Sequence, residues 1–258
     1  MARISVTLVL VCILSSSLAG CMFNREGGEI SLDVEPEITK GTIIESYSEG
    51  ELISSNSVSI GFDFQKTIAD NRLATFGLDL QDGREPFTID AEEASVVSID
   101  FTNHGIYNIV AYAVDDAGNQ ANTSIQITID LRIDWTETDT ANPQALPFNP
   151  EPENAGQHPK MSEIISNVEN PAIVNNIGDS GQQIKLTWQL VDELDDICQT
   201  RNGQINDGDA MQWQTIYFNT FMEHELRIIL DDSQDNVNVN QSIMAVSYTH
   251  LTLPTTSC

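Results

Sequence analysis

The chain has 258 residues, of which 39 are Asp or Glu and only 11 Lys or Arg, a net charge of −28. Such a balance argues against nucleic acid and against electrostatic adhesion to anionic lipid, since both need clustered Lys and Arg. The 40% hydrophobic content argues equally against a disordered acidic tail, and the acidity suits a marine or halophilic prokaryote, where salt shortens self-repulsion to ~8 Å or less.

At the N-terminus, Arg3 precedes an almost wholly apolar run from Ile4 to Leu14, followed by Ser15-Ser16-Ser17 and Leu18-Ala19-Gly20-Cys21. A charged start, a short apolar core and a small-residue cut are the parts of a secretory signal. The core is too short for a membrane span, which needs ~20 residues. Leu18 to Cys21 resembles the lipobox of prokaryotic lipoproteins. That resemblance implies a signal peptide over residues 1–20, lipidation of Cys21, and an exported protein held on the outer face of the cell membrane. An ordinary signal with Cys21 at the cut by coincidence is the alternative.

Met22 to Gly28 reads as a flexible tether, so residues 21–29 precede a first folded unit at 30–137. Val58, Ile60, Phe62 and Phe64 alternate, which puts them on one face of a strand. Phe76, Leu78 and Leu80 follow, closed by an Asp82-Gly83 turn; Val97, Ile99 and Phe101 precede a turn at Asn103-His104-Gly105. Ile106 to Val114 forms the next strand, which Asp116 to Asn119 turn into a closing strand of Ile125, Ile127, Ile129 and Leu131. Short strands about ten residues apart, without a helical period, predict an all-β antiparallel sandwich.

The stretch Gly105-Ile-Tyr-Asn-Ile-Val-Ala-Tyr-Ala-Val-Asp-Asp-Ala-Gly-Asn119, with the alternation from Ile125 to Ile129, resembles the last hairpin of PKD-like and bacterial Ig-like domains. The resemblance covers roughly residues 30–132 as a domain and is specific in this hairpin alone, where Ile109 stands at the usual valine. It implies an Ig-like sandwich with Tyr107, Ile109, Ala111 and Ala113 facing inward.

Thr138 to Lys160 carries Pro143, Pro147, Pro150, Pro152 and Pro159, which predicts an extended spacer over 138–160 without a core of its own. A second Ig-like or PKD-like sandwich is expected at 161–244, from alternation around Trp188, over Trp213 to Phe218 and over Leu226 to Leu230. Pro159 to Asn175 reads as either a short helix or a first strand. Asp115-Asp116 to Asn122-Thr123-Ser124-Ile125 parallels Asp231-Asp232 to Asn240-Gln241-Ser242-Ile243, the pattern of a degenerate repeat. Ala245 to Ser257 resembles a sequencing-library adapter translated in frame, which makes 245–258 an expected artefact and implies that the natural C-terminus is missing.

With Cys12 in the signal, Cys21 lipidated and Cys258 after the adapter-like string, only Cys198 remains, so no internal disulfide is expected. No Gly-x-Ser-x-Gly elbow, His-Glu-x-x-His pair or phosphate-binding glycine loop occurs, and His104, His158 and His224 are isolated. No catalytic residue is therefore expected. Calcium is the one cofactor suggested: Asp192, Asp195 and Asp196, then Asp207 and Asp209, then Asp231, Asp232 and Asp235 offer loop oxygens. No loop has the Asp-x-Asp-x-Asp-Gly spacing, and so acidic a chain gathers such clusters by composition. Asn122 and Asn240 begin glycosylation sequons, usable in an archaeal surface protein and silent in most bacteria; a shared strand-edge geometry explains them equally well.

The sequence thus predicts a non-enzymatic, lipid-anchored cell-surface protein whose sandwiches serve adhesion, bind a protein or glycan partner, or act as a spacer. The alternative is the membrane-anchoring portion of a truncated exported enzyme or solute-binding protein.

Overall fold

The computed structural model describes residues 28–172, 181–231 and 235–247. Every regular element in them is a strand. In chain order the first half holds β1 (Ile30–Ser31), β2 (Glu35–Pro36), β3 (Lys40–Ser48), β4 (Glu51–Ser55), β5 (Val58–Asp63), β6 (Ile68–Ala69), β7 (Leu73–Asp79), β8 (Phe87–Asp90), β9 (Val96–Phe101), β10 (Gly105–Asp115) and β11 (Gln120–Thr140). The second half holds β12 (Leu146–Phe148), β13 (Met161–Glu169), β14 (Ile184–Asp192), β15 (Ile197–Ile205), β16 (Ala210–Tyr217), β17 (His224–Leu230) and β18 (Val237–Val246).

The period-two patterns build two β-sandwiches. In the first, the sheet β2-β5-β9 faces β8-β7-β10-β11. The expected faces are buried: Ile60, Phe62, Val97, Ile99 and Phe101 from one sheet meet Phe76, Leu78, Tyr107, Ile109, Ala111 and Ala113 from the other. Phe101 meets Tyr107 edge-on at 4.8 Å, and Phe64, just beyond β5, stacks on Phe76 at 4.7 Å. In the second, β12-β17-β14-β15 faces β16-β13-β18. Fully buried Trp188 lies at its centre, 6.3 Å from Trp213 across the layers, and its indole N–H donates to Ser166 Oγ at 2.9 Å. The segment left open between helix and strand is the strand β13, with Ile164 and Val168 inward and Ile165 outward.

Strand β11 joins the two bodies. Its first half, Gln120–Ile129, pairs with β10; its second half, from Leu131 to Thr140, pairs with β18. Thr128–Thr136 also pairs with β3, and this contact is parallel. Because β3 overlaps both partners, it occupies the opposite edge of β11, and β10 and β18 lie end to end along the other. The buried side chains of both sandwiches form one continuous cluster.

Two expectations are corrected here. The proline-rich segment is not a coreless spacer: Leu146 and Phe148 form β12 beside β17 and are buried, as are Pro150, Pro152 and Pro159. Apolar residues at alternate positions give this stretch an inward face that its prolines leave intact. Nor is the parallel between the two sequence ends one of connectivity. β10 and β11 form a hairpin within one sheet, whereas β17 and β18 belong to different sheets.

Candidate functional site

The proline-rich segment packs against the first sandwich and closes one wall of a cleft between the two bodies. Its volume is about 280 Å³. The floor is apolar and buried, formed by Ile43 of β3, Leu131 and Ile133 of β11, and Phe148 of β12. Alternation along β3 brings Glu45 and Tyr47 to the same cleft as Ile43. Tyr47 is half-buried, stacked on Trp135 with ring centroids 5.7 Å apart, and its hydroxyl donates to Glu45 Oε2 at 3.0 Å. Burial, reinforced by the Glu45 carboxylate, raises the Tyr47 phenol above its ordinary pKa.

The loop before β10 joins the proline-rich wall. Asn103 Nδ2 donates to Glu153 Oε2 at 2.7 Å, and the Asn103 carbonyl accepts the Tyr107 hydroxyl at 2.8 Å. His104 is buried, its Nε2–H donating to the Pro150 carbonyl at 3.0 Å, so this histidine ties the proline-rich wall to the first sandwich. Asn149, Glu151, Glu153 and Glu223 complete the rim, and among the described residues no Lys or Arg lines it. The cleft thus offers one aromatic face, an apolar floor, and planar carboxylate and amide groups.

The residues singled out in the sequence lie elsewhere. Asp192 closes the β14–β15 turn, its Oδ1 accepting the Leu194 and Asp196 backbone N–H groups, while Asp195 is paired with Arg227 at 2.6 Å. Asp209 accepts from Asn206 Nδ2 at 3.0 Å, Asp207 borders Gly181, and Asp235 accepts the Gln182 N–H; Asp231 is exposed. Among the described residues no three His, Cys, Asp or Glu side chains converge as metal ligands. Asp232 and Cys21 lie outside the described residues, as do residues 248–258 of the adapter-like tail; Ala245 and Val246 extend β18. Asn122 and Asn240 are both exposed, but a common strand edge does not unite them, because Asn240 is paired on both sides, to Thr136 and to Asn167. Trp135, Trp188 and Trp213 are core residues, as their strand patterns predict. Cys198 is a half-buried free thiol.

Sequence reasoning missed Tyr47, Glu45, Asn103 and Glu153. The Ile43-Glu45-Tyr47 alternation was a usable signal for β3, but nothing local announces that its neighbours in space come from residues 103 and 153.

No protein family matches the chain, and no curated protein is similar to it. Among solved structures it is similar to one described as the basis for promiscuous specificity of carbohydrate-binding modules from the β-sandwich superfamily. That match covers 87% of this chain and 98% of the other at 9% identity, with a TM-score of 0.33. A Bacteroides ovatus mixed-linkage glucan utilization protein, in complex with a mixed-linkage heptasaccharide, matches over 80% of this chain and 52% of its own (10% identity, TM-score 0.22). Bacteroides uniformis β-glucuronidase matches at 7% identity and a TM-score of 0.27, and the chain spans about a third of its length, 30%.

Proposed function

We propose that this chain is a non-enzymatic glycan-binding module of the cell surface, held to the membrane through Cys21, and that the cleft between its sandwiches receives the sugar. The cleft carries the reading. A sugar ring has an apolar face, which stacks on an aromatic side chain, and a rim of hydroxyls, which need planar hydrogen-bonding groups. Tyr47 supplies the first, and Glu45, Asn103, Asn149, Glu151 and Glu153 supply the second. With four carboxylates and, among the described residues, no Lys or Arg on the walls, uronates and sulfated sugars are repelled, so the ligand is a neutral glycan.

The test is retention on an array of neutral, uronate-containing and sulfated oligosaccharides, repeated with Tyr47→Ala and Glu153→Gln. Neutral glycans are retained by the native chain and released by both variants at unchanged melting temperature. Failure to retain any glycan, or equal retention by Tyr47→Ala, overturns the assignment. The lipid anchor has its own test, metabolic labelling with a radioactive fatty acid, which Cys21→Ser abolishes.

A further inference from the structure

At the end of the second sandwich, Asp192 pairs with His224, so the β14–β15 tip and the loop entering β17 lie side by side. That end exposes four large apolar side chains: Leu194 (72% accessible), Ile197 (57%), Phe218 (69%) and Phe221 (64%). Isolated exposed apolar residues are ordinary, but a group at one end of a fold marks a contact surface. Glu193, Asp195, Asp196 and Glu223 are interleaved with them and exposed.

At the same end, where the β14–β15 turn meets the start of β17, opens a recess of about 240 Å³, walled by Asp192, Glu193, Asp195, Glu223, Glu225 and Arg227 and reaching His224. Arg227 is already engaged, with Asp195 at 2.6 Å and Glu225 at 2.7 Å. His224 is only 1% exposed, and among the described residues neither ring nitrogen completes a hydrogen bond, although the Met222 carbonyl lies near enough to favour the charged ring. A buried polar group without a full partner marks a place where a partner belongs.

The charge pattern selects the occupant. Two copies meeting through this end would bring the same carboxylates face to face, and an anionic lipid surface would be repelled by them. We propose that this end docks a basic, apolar segment of a partner protein, its Leu or Phe side chains covering the exposed cluster and a Lys or Arg entering the recess.

A fluorescent six-residue peptide alternating leucine with lysine, titrated into the full chain and read by anisotropy, tests this. The expected result is saturable binding that weakens with salt and is lost when glutamate replaces lysine. The double variant Phe218→Ser/Phe221→Ser weakens it at least about tenfold, Glu193→Gln weakens it and flattens the salt dependence, and Tyr47→Ala leaves it unchanged. These side chains are exposed, so a retained melting temperature certifies the fold of each variant. Equal binding of lysine and glutamate peptides, or indifference to Phe218→Ser/Phe221→Ser, overturns the proposal. So does retention on uncharged phosphatidylcholine vesicles, which makes the surface a lipid contact, or self-association abolished by the double variant, which makes it a contact between copies.

Discussion

Asp115 and Asn119 lock the β10–β11 turn from both sides. The Asn119 N–H and side-chain amide donate to the two oxygens of the Asp115 carboxylate at 2.7 Å each, and the Asp115 N–H donates to the Asn119 carbonyl at 3.0 Å. Asn71 and the Ala117 N–H add further donors, and Gly118 takes the left-handed conformation (φ +81°) that lets the chain reverse.

The titration of Asp115 follows from this ring of donors. Burial opposes its ionisation, but the bonds from Asn119, Asn71 and Ala117 outweigh it and hold the carboxyl below its ordinary pKa. A depressed folded-state pKa contributes stability that is present above the unfolded value of ~3.9 and is lost as pH falls through the folded one. Asp115→Asn therefore lowers the melting temperature at pH 7, and its difference from the native chain shrinks as the pH is taken below 4. Scanning calorimetry across pH 2.5–7 checks this; a constant difference contradicts it.

Ser166 is the only route by which the buried Trp188 indole is satisfied among the described residues, and Gln241 Nε2 donates to the same oxygen at 3.3 Å. Ser166→Ala strands both donors in the core. Leaving a buried donor unpaired costs about 1–3 kcal/mol, so the urea midpoint falls while the slope is kept.

Because β11 belongs to both sandwiches, a defect in it is felt by both. Ile133, buried at the crossing, pairs with Ile243 of β18 and Glu45 of β3. Ile133→Ala costs about 2–5 kcal/mol. The shared strand and continuous core predict that the native chain melts in a single transition and that this variant keeps one transition at lower temperature. Two separated peaks would show that the bodies unfold independently.

His224 lies between Phe148 and Tyr217, with ring centroids 5.6 and 5.0 Å away. Burial lowers its pKa, against the raising influence of the Met222 carbonyl, Asp192 and Glu193. For a base held below its unfolded value of ~6.5, stability is present above that pH and falls as pH drops through the folded value. His224→Phe removes this acid-side loss, which shows as a flatter melting-temperature profile between pH 7 and 5.

The local rules were legible in the sequence wherever one face is buried. Ile60 and Phe62, Val97 to Phe101 and Tyr107 to Ala113 alternate cleanly, and their inward faces followed. The hairpin turn falls on Asp116 to Asn119 as expected, but the carboxylate that locks it is that of Asp115, while Asp116 reaches Arg72 at 3.6 Å. The closing strand runs to Thr140 rather than Leu131; the alternation of Ile133 and Trp135 carried that signal, hidden by the charged residues between them. The cleft was not legible, since Tyr47, Asn103, Phe148 and Glu223 are brought together only by pairings between distant strands.

The Gln120–Thr140 strand also has a mechanical meaning. A pull that tries to part the two bodies must slide the β10, β3 and β18 ladders past their hydrogen bonds together, because there is no joint to straighten. Load entering at one end is carried through as by a single lever, from the ladder of one body into the ladder of the other.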